Sequence, residues 1–177
     1  MGLLELNEFE DGPRVFERER FSDDRGYFEM IMRMDEIKKT FPKFPDLLQI
    51  NLIKAKVGAL RGFHVAPIDS NHWKVLTVVV GNVRDAFLDI RKKSENYGCI
   101  SFIDMSAANG ATVVIPPGFA HAVQSLSAES ITIYGTNIPY SKNNEFEIHP
   151  FSNSWADIWQ KPAIISRRDE EAPVWKN

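Results

Sequence analysis

The sequence predicts an all-β domain, a sandwich or a barrel, over residues 1–177. Short apolar or alternating runs separated by turn residues recur along the chain, and helical periodicity is weak and local. Many short strands with little helix are typical of sandwiches and barrels. A chain of 177 residues is also long enough to bury a substantial core in one domain.

The first predicted elements are a short helix and an alternating strand. The segment Met34–Thr40 could form a helix that Pro42 ends. Residues 48–53 alternate, which places Gln49 and Asn51 on one face of a strand. The opposite face of that strand is apolar and carries Leu48, Ile50 and Leu52.

Further strands are predicted by apolar runs of five to eight residues. A continuous run at 75–80 meets Gly81-Asn82, a two-residue hairpin signal, and leads into a second run at 83–90. Two later strands are predicted at 111–115 and 130–136, followed by a helical turn or two at 154–159. The charged tail after residue 165 would by composition be a loose end.

Composition excludes several classes of function. The net charge is −3 and no long basic run is present, which argues against a dedicated nucleic-acid surface. No stretch approaches the roughly 18 apolar residues of a membrane helix. Residues 1–10 lack a signal-type apolar segment, and the single Cys99 forms no internal disulfide. A cytoplasmic location and no membrane partner are therefore expected.

The strongest functional signal is the run 60–64, which ends in His64, with Lys74 ten residues later. A histidine can take a proton near neutral pH, and an ammonium can stabilise the negative charge that results. A single histidine in a strand protein is more often a surface or core residue. The adjacent Arg61 and Gly62, where glycine permits close backbone approach, favour a functional interpretation.

A metal site is the main alternative for a histidine in a β-barrel. The usual His-x-His pair is absent because Ala66 occupies the second position. Asp69 is the one nearby acid, and His121 has no second ligand close in sequence. The expectation is no metal.

Several other side chains admit both a structural and a functional interpretation. Tyr134 and Tyr140 could be barrel aromatics, or Tyr134 could donate a proton from the polar face of its strand. Lys74 lies at a strand start and could point inward. Arg25, in a turn before a strand, and Arg61 could hold a diphosphate, whereas no Gly-rich phosphate loop is present.

With these residues in view, the chain resembles the dTDP-4-dehydrorhamnose 3,5-epimerase family, which acts on nucleotide-linked 4-keto-6-deoxy sugars. The likeness runs from about Phe16 to Pro173. Its marks, in order, are Asp24-Arg25-Gly26, Gln49-x-Asn51, Leu60-Arg61-Gly62-x-His64, Lys74, Asp89-Ile90-Arg91-x-x-Ser94, Ile115-Pro116-x-Gly118-Phe119-Ala120-His121, the pair Tyr134 and Tyr140, and Ser166-x-x-Asp169-x-x-x-Pro173.

The resemblance implies a cupin-type jelly-roll barrel with short peripheral helices, usually a homodimer, with no metal and no other cofactor. It implies that His64 is the base and that Asp169 pairs with it from the tail. Tyr134 matches the proton donor, and Lys74 matches the residue beside the keto oxygen of the sugar. Tyr140 matches an aromatic that stacks on the nucleobase. The remaining positions implied to contact the nucleotide-diphosphate sugar are Arg25, Gln49, Asn51, Arg61, His121, Glu145 and Arg168.

The sequence departs from the family pattern in two places. The family commonly has Arg-Gly-x-Phe-x-Glu, but here the acid, Glu29, comes one residue early and Met30 follows. A shift of one residue in a strand moves a side chain to the other face. The family also commonly has a glutamine two residues after the base, where Ala66 stands here. The nucleotide, the sugar and the epimerised carbons therefore stay open.

Three functions are consistent with these residues. The leading hypothesis is an epimerase that inverts C3, C5 or both, in a pathway that builds a deoxysugar for a surface polysaccharide or glycosylated metabolite. A related keto-sugar isomerase or dehydratase would share the enolate but release another product. The third is a sugar-binding cupin without activity.

Overall fold

The computed structural model describes residues 9–141 and 145–176, and the fold within them is mostly strand. Helix α1 is Met34–Thr40 and helix α2 is Arg167–Glu170. The twelve strands are β1 Arg14–Glu17, β2 Glu19–Asp23, β3 Gly26–Met30, β4 Gln49–Lys56, β5 Leu60–Val65, β6 Lys74–Val80, β7 Asn82–Asp89, β8 Ile100–Ser106, β9 Ala111–Ile115, β10 Phe119–Ser125, β11 Glu129–Thr136 and β12 Phe146–Ile148.

The strands form two five-stranded sheets and a separate hairpin. Sheet I has the order β1-β9-β6-β11-β4, sheet II has the order β12-β5-β10-β7-β8, and β2 pairs with β3. Every pairing between these strands is antiparallel. The neighbours in each sheet are mostly distant in sequence, as in a jelly roll. The all-β prediction is therefore confirmed.

Apolar side chains fill the space between the sheets. Sheet I contributes Leu76 and Val78, sheet II contributes Val83 and Phe87, and all four are at most 1% exposed. Burial of each such side chain stabilises the fold by about 1.5–3 kcal/mol. This core occupies one end of the barrel and leaves the other end for polar residues.

Each sheet is also covered on its outer face. Ile37 of α1 packs with Phe44 and Trp73 against sheet I. Trp155 and Trp159, from the segment after β12, pack against Phe63 of sheet II. Because both faces of each sheet are buried over much of their area, several strands read as continuous apolar runs.

The predicted elements hold, with small shifts at their ends. Helix α1 and strand β9 have the predicted bounds, and a 3₁₀ turn spans Asn153–Ile158. The chain does turn at Gly81, whose φ of 72° suits glycine. The predicted hairpin there is wrong, however, because β6 lies in sheet I and β7 in sheet II, so the turn carries the chain from one sheet to the other. No helix among the described residues is long and apolar enough to cross a bilayer.

Strand β4 is amphipathic, but its polar face is the more buried one and its apolar face is exposed. Its polar face, with Gln49 and Asn51, is turned toward the barrel and partly buried. Its apolar side chains lie outside: Leu48, Ile50 and Leu52 are 69%, 68% and 67% exposed. Since β4 is the edge strand of sheet I, these side chains form an apolar stripe at the edge of the molecule.

The charged tail is ordered against the barrel, as the resemblance implied and composition did not. Ala59 and Ile164 form a parallel bridge, and helix α2 follows. Asp169 of that helix is 3% exposed. Backbone hydrogen bonds also hold the tail, from Leu60 to Ile164 and from His149 to Pro173.

Candidate active site

The four residues predicted to carry chemistry converge at the polar end of the barrel. His64, Lys74 and Tyr134 line one cavity of about 80 Å³, and Asp169 contacts the histidine from behind. A wider cavity of about 300 Å³ adjoins it and shares Tyr134 and Glu145. Together they give room for an elongated ligand to enter the barrel.

His64 lies on β5 and pairs with Asp169 of helix α2. Its Nε2 lies 2.9 Å from Oδ1 of Asp169. Ser166 caps the helix: its Oγ donates to Oδ2 of Asp169 at 2.7 Å and accepts from the Asp169 backbone N–H. Gly62 permits this approach, because a Cβ there would lie 2.8 Å from Oδ1 of Asp169.

The pair is electrostatically set for proton transfer. Burial opposes the charged form of Asp169, but the hydrogen bonds from His64 and Ser166 outweigh it and lower the pKa of the carboxyl group. The ionised carboxylate orients the imidazole through Nε2. The second ring nitrogen, Nδ1, is then the atom left to take a proton.

Lys74 and Tyr134 lie on neighbouring strands of sheet I, opposite the histidine. Nζ of Lys74 lies 3.2 Å from Oε1 of Glu145, and both side chains are about one-tenth exposed (11% and 9%). Burial raises the pKa of Glu145, but the ammonium outweighs it and the net shift is downward. Burial, and then the Glu145 charge, raise the pKa of Tyr134 to about 12. The phenol therefore keeps its proton at neutral pH.

A chain of hydrogen bonds links most of the other predicted contact residues at the cavity mouth. Gln49 donates to Oδ1 of Asn51 at 2.7 Å and accepts from the backbone N–H of Tyr140 at 2.9 Å. Arg168 donates to the hydroxyl of Tyr140 at 3.1 Å and pairs with Glu147. Within the described residues, Nδ2 of Asn51 is buried without a hydrogen-bond partner, as a donor awaiting a ligand would be.

Arg61 and His121 line the inner cavity, but Arg25 does not reach it. Arg25 lies at the tip of the β2–β3 hairpin, where it pairs with Asp23 and its side chain is 90% exposed. The groove it borders is formed by hairpin residues. The structure thus brings eleven of the twelve predicted site residues to the barrel mouth and leaves Arg25 outside.

The early acid of β3 has a structural environment of its own. Glu29 accepts from Arg20 at 2.9 Å and lies 3.5 Å from the buried guanidinium of Arg18. Met30, one residue later, faces a different groove together with Arg33. Glu29 and Met30 thus have different surroundings, and the effect of the shift on nucleotide recognition stays a prediction.

His72 lines the wider cavity, and the sequence alone did not predict it as a site residue. Its Nε2 lies 2.5 Å from the hydroxyl of Thr136, beside Lys74. Burial, and then the charge of Lys74, lower the pKa of His72 to about 4. In the part of the chain that is described, no three metal-ligating side chains converge.

The sequence and the structure were compared with known proteins. A family model described as dTDP-4-dehydrorhamnose 3,5-epimerase matches residues 10–177. The enzyme of that name from Shigella flexneri is 35% identical over 131 residues, which cover 74% of this chain and 72% of the relative. These values extend the likeness across most of both sequences.

Two solved structures show the same fold with ligands. A dTDP-6-deoxy-D-glucose-3,5-epimerase from Legionella pneumophila in complex with dTDP-4-keto-L-rhamnose has a TM-score of 0.85 and 27% identity, covering 92% of this chain and 87% of its own. A 3'-monoepimerase from Streptomyces bikiniensis in complex with dTDP-quinovose has a TM-score of 0.88 and 26% identity, covering 98% and 87%.

Fold and relatives together define a cupin-type sugar epimerase, an enzyme of the isomerase class. Within that class, the chain belongs to the dTDP-4-dehydrorhamnose 3,5-epimerase family. The predicted resemblance, the fold class and the enzyme class are confirmed. The roles of individual residues remain predictions.

Proposed function

We propose that the protein epimerises a nucleotide-linked 4-keto-6-deoxy sugar at C3, C5 or both, using one domain that spans residues 1–177. The observation that carries this proposal is the placement of His64, backed by Asp169, across a cavity from Tyr134. A base and an acid on opposite walls are what inversion at carbon requires. No step needs a redox or metal cofactor.

Proton abstraction falls to His64. The C4 carbonyl acidifies the protons at C3 and C5, and Nδ1 of the imidazole takes one of them. The ionised Asp169 stabilises the imidazolium that forms, through the 2.9 Å contact to Nε2. The carbon–hydrogen electron pair moves into the ring to give an enolate at C4.

Lys74 and Tyr134 complete the reaction from the opposite sheet. The ammonium of Lys74 stabilises the enolate oxygen, an effect typically worth about 3 kcal/mol. Tyr134 then donates its phenolic proton to the opposite face of the same carbon, which inverts the configuration. Its raised pKa, about 12, keeps that proton in place until the enolate forms.

The nucleotide diphosphate would lie along the polar rim. Arg61 in the inner cavity and Arg168 outside it offer guanidinium donors for phosphate oxygens, and His121 offers a ring nitrogen beside Arg61. Tyr140 borders the wider cavity and offers a ring for the base to stack on. The dTDP ligands of two related structures make dTDP the first nucleotide to test.

The test is isotope exchange. We expect incubation with a dTDP-linked 4-keto-6-deoxy sugar in D₂O to place deuterium at C3, C5 or both, as read by proton NMR. The product spectrum also separates the alternatives: a moved carbonyl or a lost water would identify an isomerase or dehydratase. Absence of exchange with dTDP, UDP, GDP and CDP sugars alike would overturn the proposal.

We also infer that two copies of the chain associate through the edge of sheet I. The apolar stripe of Leu48, Ile50 and Leu52 is about two-thirds exposed on an edge strand, a surface that soluble proteins normally cover. We expect Leu52→Glu to give monomers in sedimentation experiments and Val174→Glu, at an exposed position elsewhere, to leave the dimer intact. A monomeric parent protein would contradict the inference.

A dimer would give Arg25 its predicted role. Arg25 lies outside the cavity of its own chain, so it can contact substrate only in a partner's site. Mixed dimers of Arg25→Ala and His64→Ala chains should then regain activity, since one of their two sites has both residues. Mixed dimers without activity would show that Arg25 does not act across the interface. A cytoplasmic location remains a prediction.

A further inference from the structure

Asp85 is a buried carboxylate that the proposed mechanism does not use. It lies on β7 at 0% exposure, between the apolar side chains Val83 and Phe87 of the same strand face. Within the described residues, neither of its oxygens accepts a hydrogen bond of normal geometry. Burial of an unsatisfied polar or charged group is costly, so this carboxylate needs an explanation.

Among the described residues, the ion contact of Asp85 is with His121. Nε2 of the imidazole lies 2.6 Å from Oδ1, and the imidazole stacks on the ring of Phe87 at 5.9 Å between centroids. His121 lines the inner cavity, whereas Asp85 lies behind it and does not. In register, His121 stands directly opposite His64 on β5. The site therefore has two histidine–carboxylate pairs side by side.

A second aspartate on the same strand shows how the fold satisfies a buried carboxylate. Asp89 is also 0% exposed, but it accepts from the backbone N–H of Arg91 at 2.9 Å, from the Arg91 guanidinium at 2.7 and 3.0 Å, and from Ser94 at 2.7 Å. Asp85 has none of these donors. We therefore expect Asp85 to contribute through its effect on His121 and not by stabilising the fold.

We propose that Asp85 is a positioning residue: it holds His121 through Nε2 and stabilises the imidazolium, so that Nδ1 offers a proton to the substrate diphosphate. The inference rests on the proposed function, because it needs a dianionic nucleotide sugar in the cavity. Arg61 lines the same cavity and adds a second cation. Asp85 thus supplies the negative charge beside His121, as Asp169 does beside His64.

The surrounding charges favour an ionised pair once an anion enters. Burial raises the pKa of Asp85 above its ordinary value, and the neighbouring His121 and then Lys74 offset only part of that rise. A bound diphosphate adds negative charge on the cavity side of His121, which favours the imidazolium further. The other titratable or charged groups around the pair are His64, Arg61, Lys74, Tyr134, Glu145 and, behind His64, Asp169.

The test compares Asp85→Asn with Asp89→Asn, a matched control on the same strand. Asp85→Asn should fold with a melting temperature equal to or above that of the parent, because it removes an unsatisfied charge. Its KM, and the Kd for dTDP measured calorimetrically, should rise roughly tenfold, because His121 loses the charge that supports it as a donor to the diphosphate, while kcat stays near the parental value. Asp89→Asn should lower the melting temperature and leave KM unchanged.

Two further measurements keep the inference open to refutation. In a His121→Gln background, Asp85→Asn should have no additional effect on dTDP affinity. The ¹⁵N shifts of His121 should report an imidazolium in the dTDP complex. An unchanged KM in Asp85→Asn, a loss of kcat with dTDP affinity intact, additive effects, or a neutral His121 with dTDP bound would each overturn it. Isotope exchange in the parent tests the proposed function separately.

Discussion

The two sheets present opposite chemistry to the cavity they share. Sheet II contributes two histidines from adjacent strands, His64 and His121, each with a carboxylate at its Nε2. Sheet I contributes Lys74 and Tyr134, also from adjacent strands. The proposed base thus lies on one wall, and the proposed enolate stabiliser and proton donor lie on the other. A reaction that removes a proton from one face of a carbon and returns one to the other face needs this division.

The carboxylates do different work on the two walls. On sheet II each acid contacts one histidine at its Nε2. On the side of sheet I, Glu145 serves two neighbours: it pairs with the ammonium of Lys74 and its charge helps to raise the pKa of Tyr134. On the side of sheet I, negative charge therefore helps to keep the phenolic proton on Tyr134.

The largest expected effect comes from removing the base. His64→Ala should reduce both isotope exchange and epimerisation by at least about 10³-fold, because His64 is the group proposed to take the carbon-bound proton. dTDP affinity, measured by calorimetry, should change little. His149→Ala is a matched control, since His149 lies outside both cavities and its Nδ1 accepts from the backbone of Phe151. Exchange that survives in His64→Ala would assign the base elsewhere.

Removing the proposed proton donor, Tyr134, should affect isotope exchange and inversion differently, whereas removing His64 should stop both. Tyr134→Phe leaves His64 and Lys74 in place, so deuterium should still enter from the His64 side. Inversion should fall by about 10²-fold, since the proton for the opposite face is gone. NMR of the recovered substrate distinguishes exchange from inversion. Tyr97→Phe, at an exposed tyrosine, is the control. Equal losses of exchange and inversion would contradict the division between the walls.

Local patterns predicted the strands and helices better than their partners. The bounds of Met34–Thr40 and Ala111–Ile115 follow from periodicity and turn residues. The pairing of β1 with β9 joins residues about a hundred positions apart, and no local signal carries it. The stripe on β4 shows a second limit, because alternation identifies two faces but does not say which one is covered by the same chain.

In the site, too, local motifs predicted individual residues better than the contacts between them. Motif spacing identified His64, Lys74 and Tyr134, whereas the contact to Asp169 crosses 105 residues and was implied only by family resemblance. Asp85 was missed because an aspartate in an apolar strand resembles any edge residue until its exposure is known. A useful signal was available: a charged residue within a run that otherwise predicts a buried strand.

A smaller effect should follow from neutralising the acid between Lys74 and Tyr134. Glu145→Gln removes the counter-charge of a buried ammonium, so kcat should fall roughly tenfold. The pKa of Tyr134 should fall as well, which moves the alkaline limb of the kcat profile to lower pH. Glu171→Gln, in an exposed pair with Arg167, should change neither quantity. An alkaline limb at the parental position would show that Glu145 does not act on the phenol.

The smallest effect concerns stability at the rim of the lysine and tyrosine wall. The pKa of His72 is about 4 in the folded chain against an ordinary value of 6.5, because burial and Lys74 disfavour the cation. Between these values the unfolded chain binds a proton that the folded chain does not, so stability is lost as pH falls from about 6.5 toward 4. At pH 5 the loss should be up to about 2 kcal/mol.

His72→Gln isolates this contribution from those of the carboxyl groups. The lowered pKa values of Asp169 and Glu145 act below their ordinary values of 3.8 and 4.5, and the raised pKa of Asp85 acts with the opposite sign. All three are present in parent and variant alike, so they cancel in the difference. Urea unfolding at pH 7 and pH 5 should show a smaller decline for His72→Gln than for the parent. Equal declines would mean that His72 takes its proton in the folded barrel, and that the wall tolerates a second cation beside Lys74.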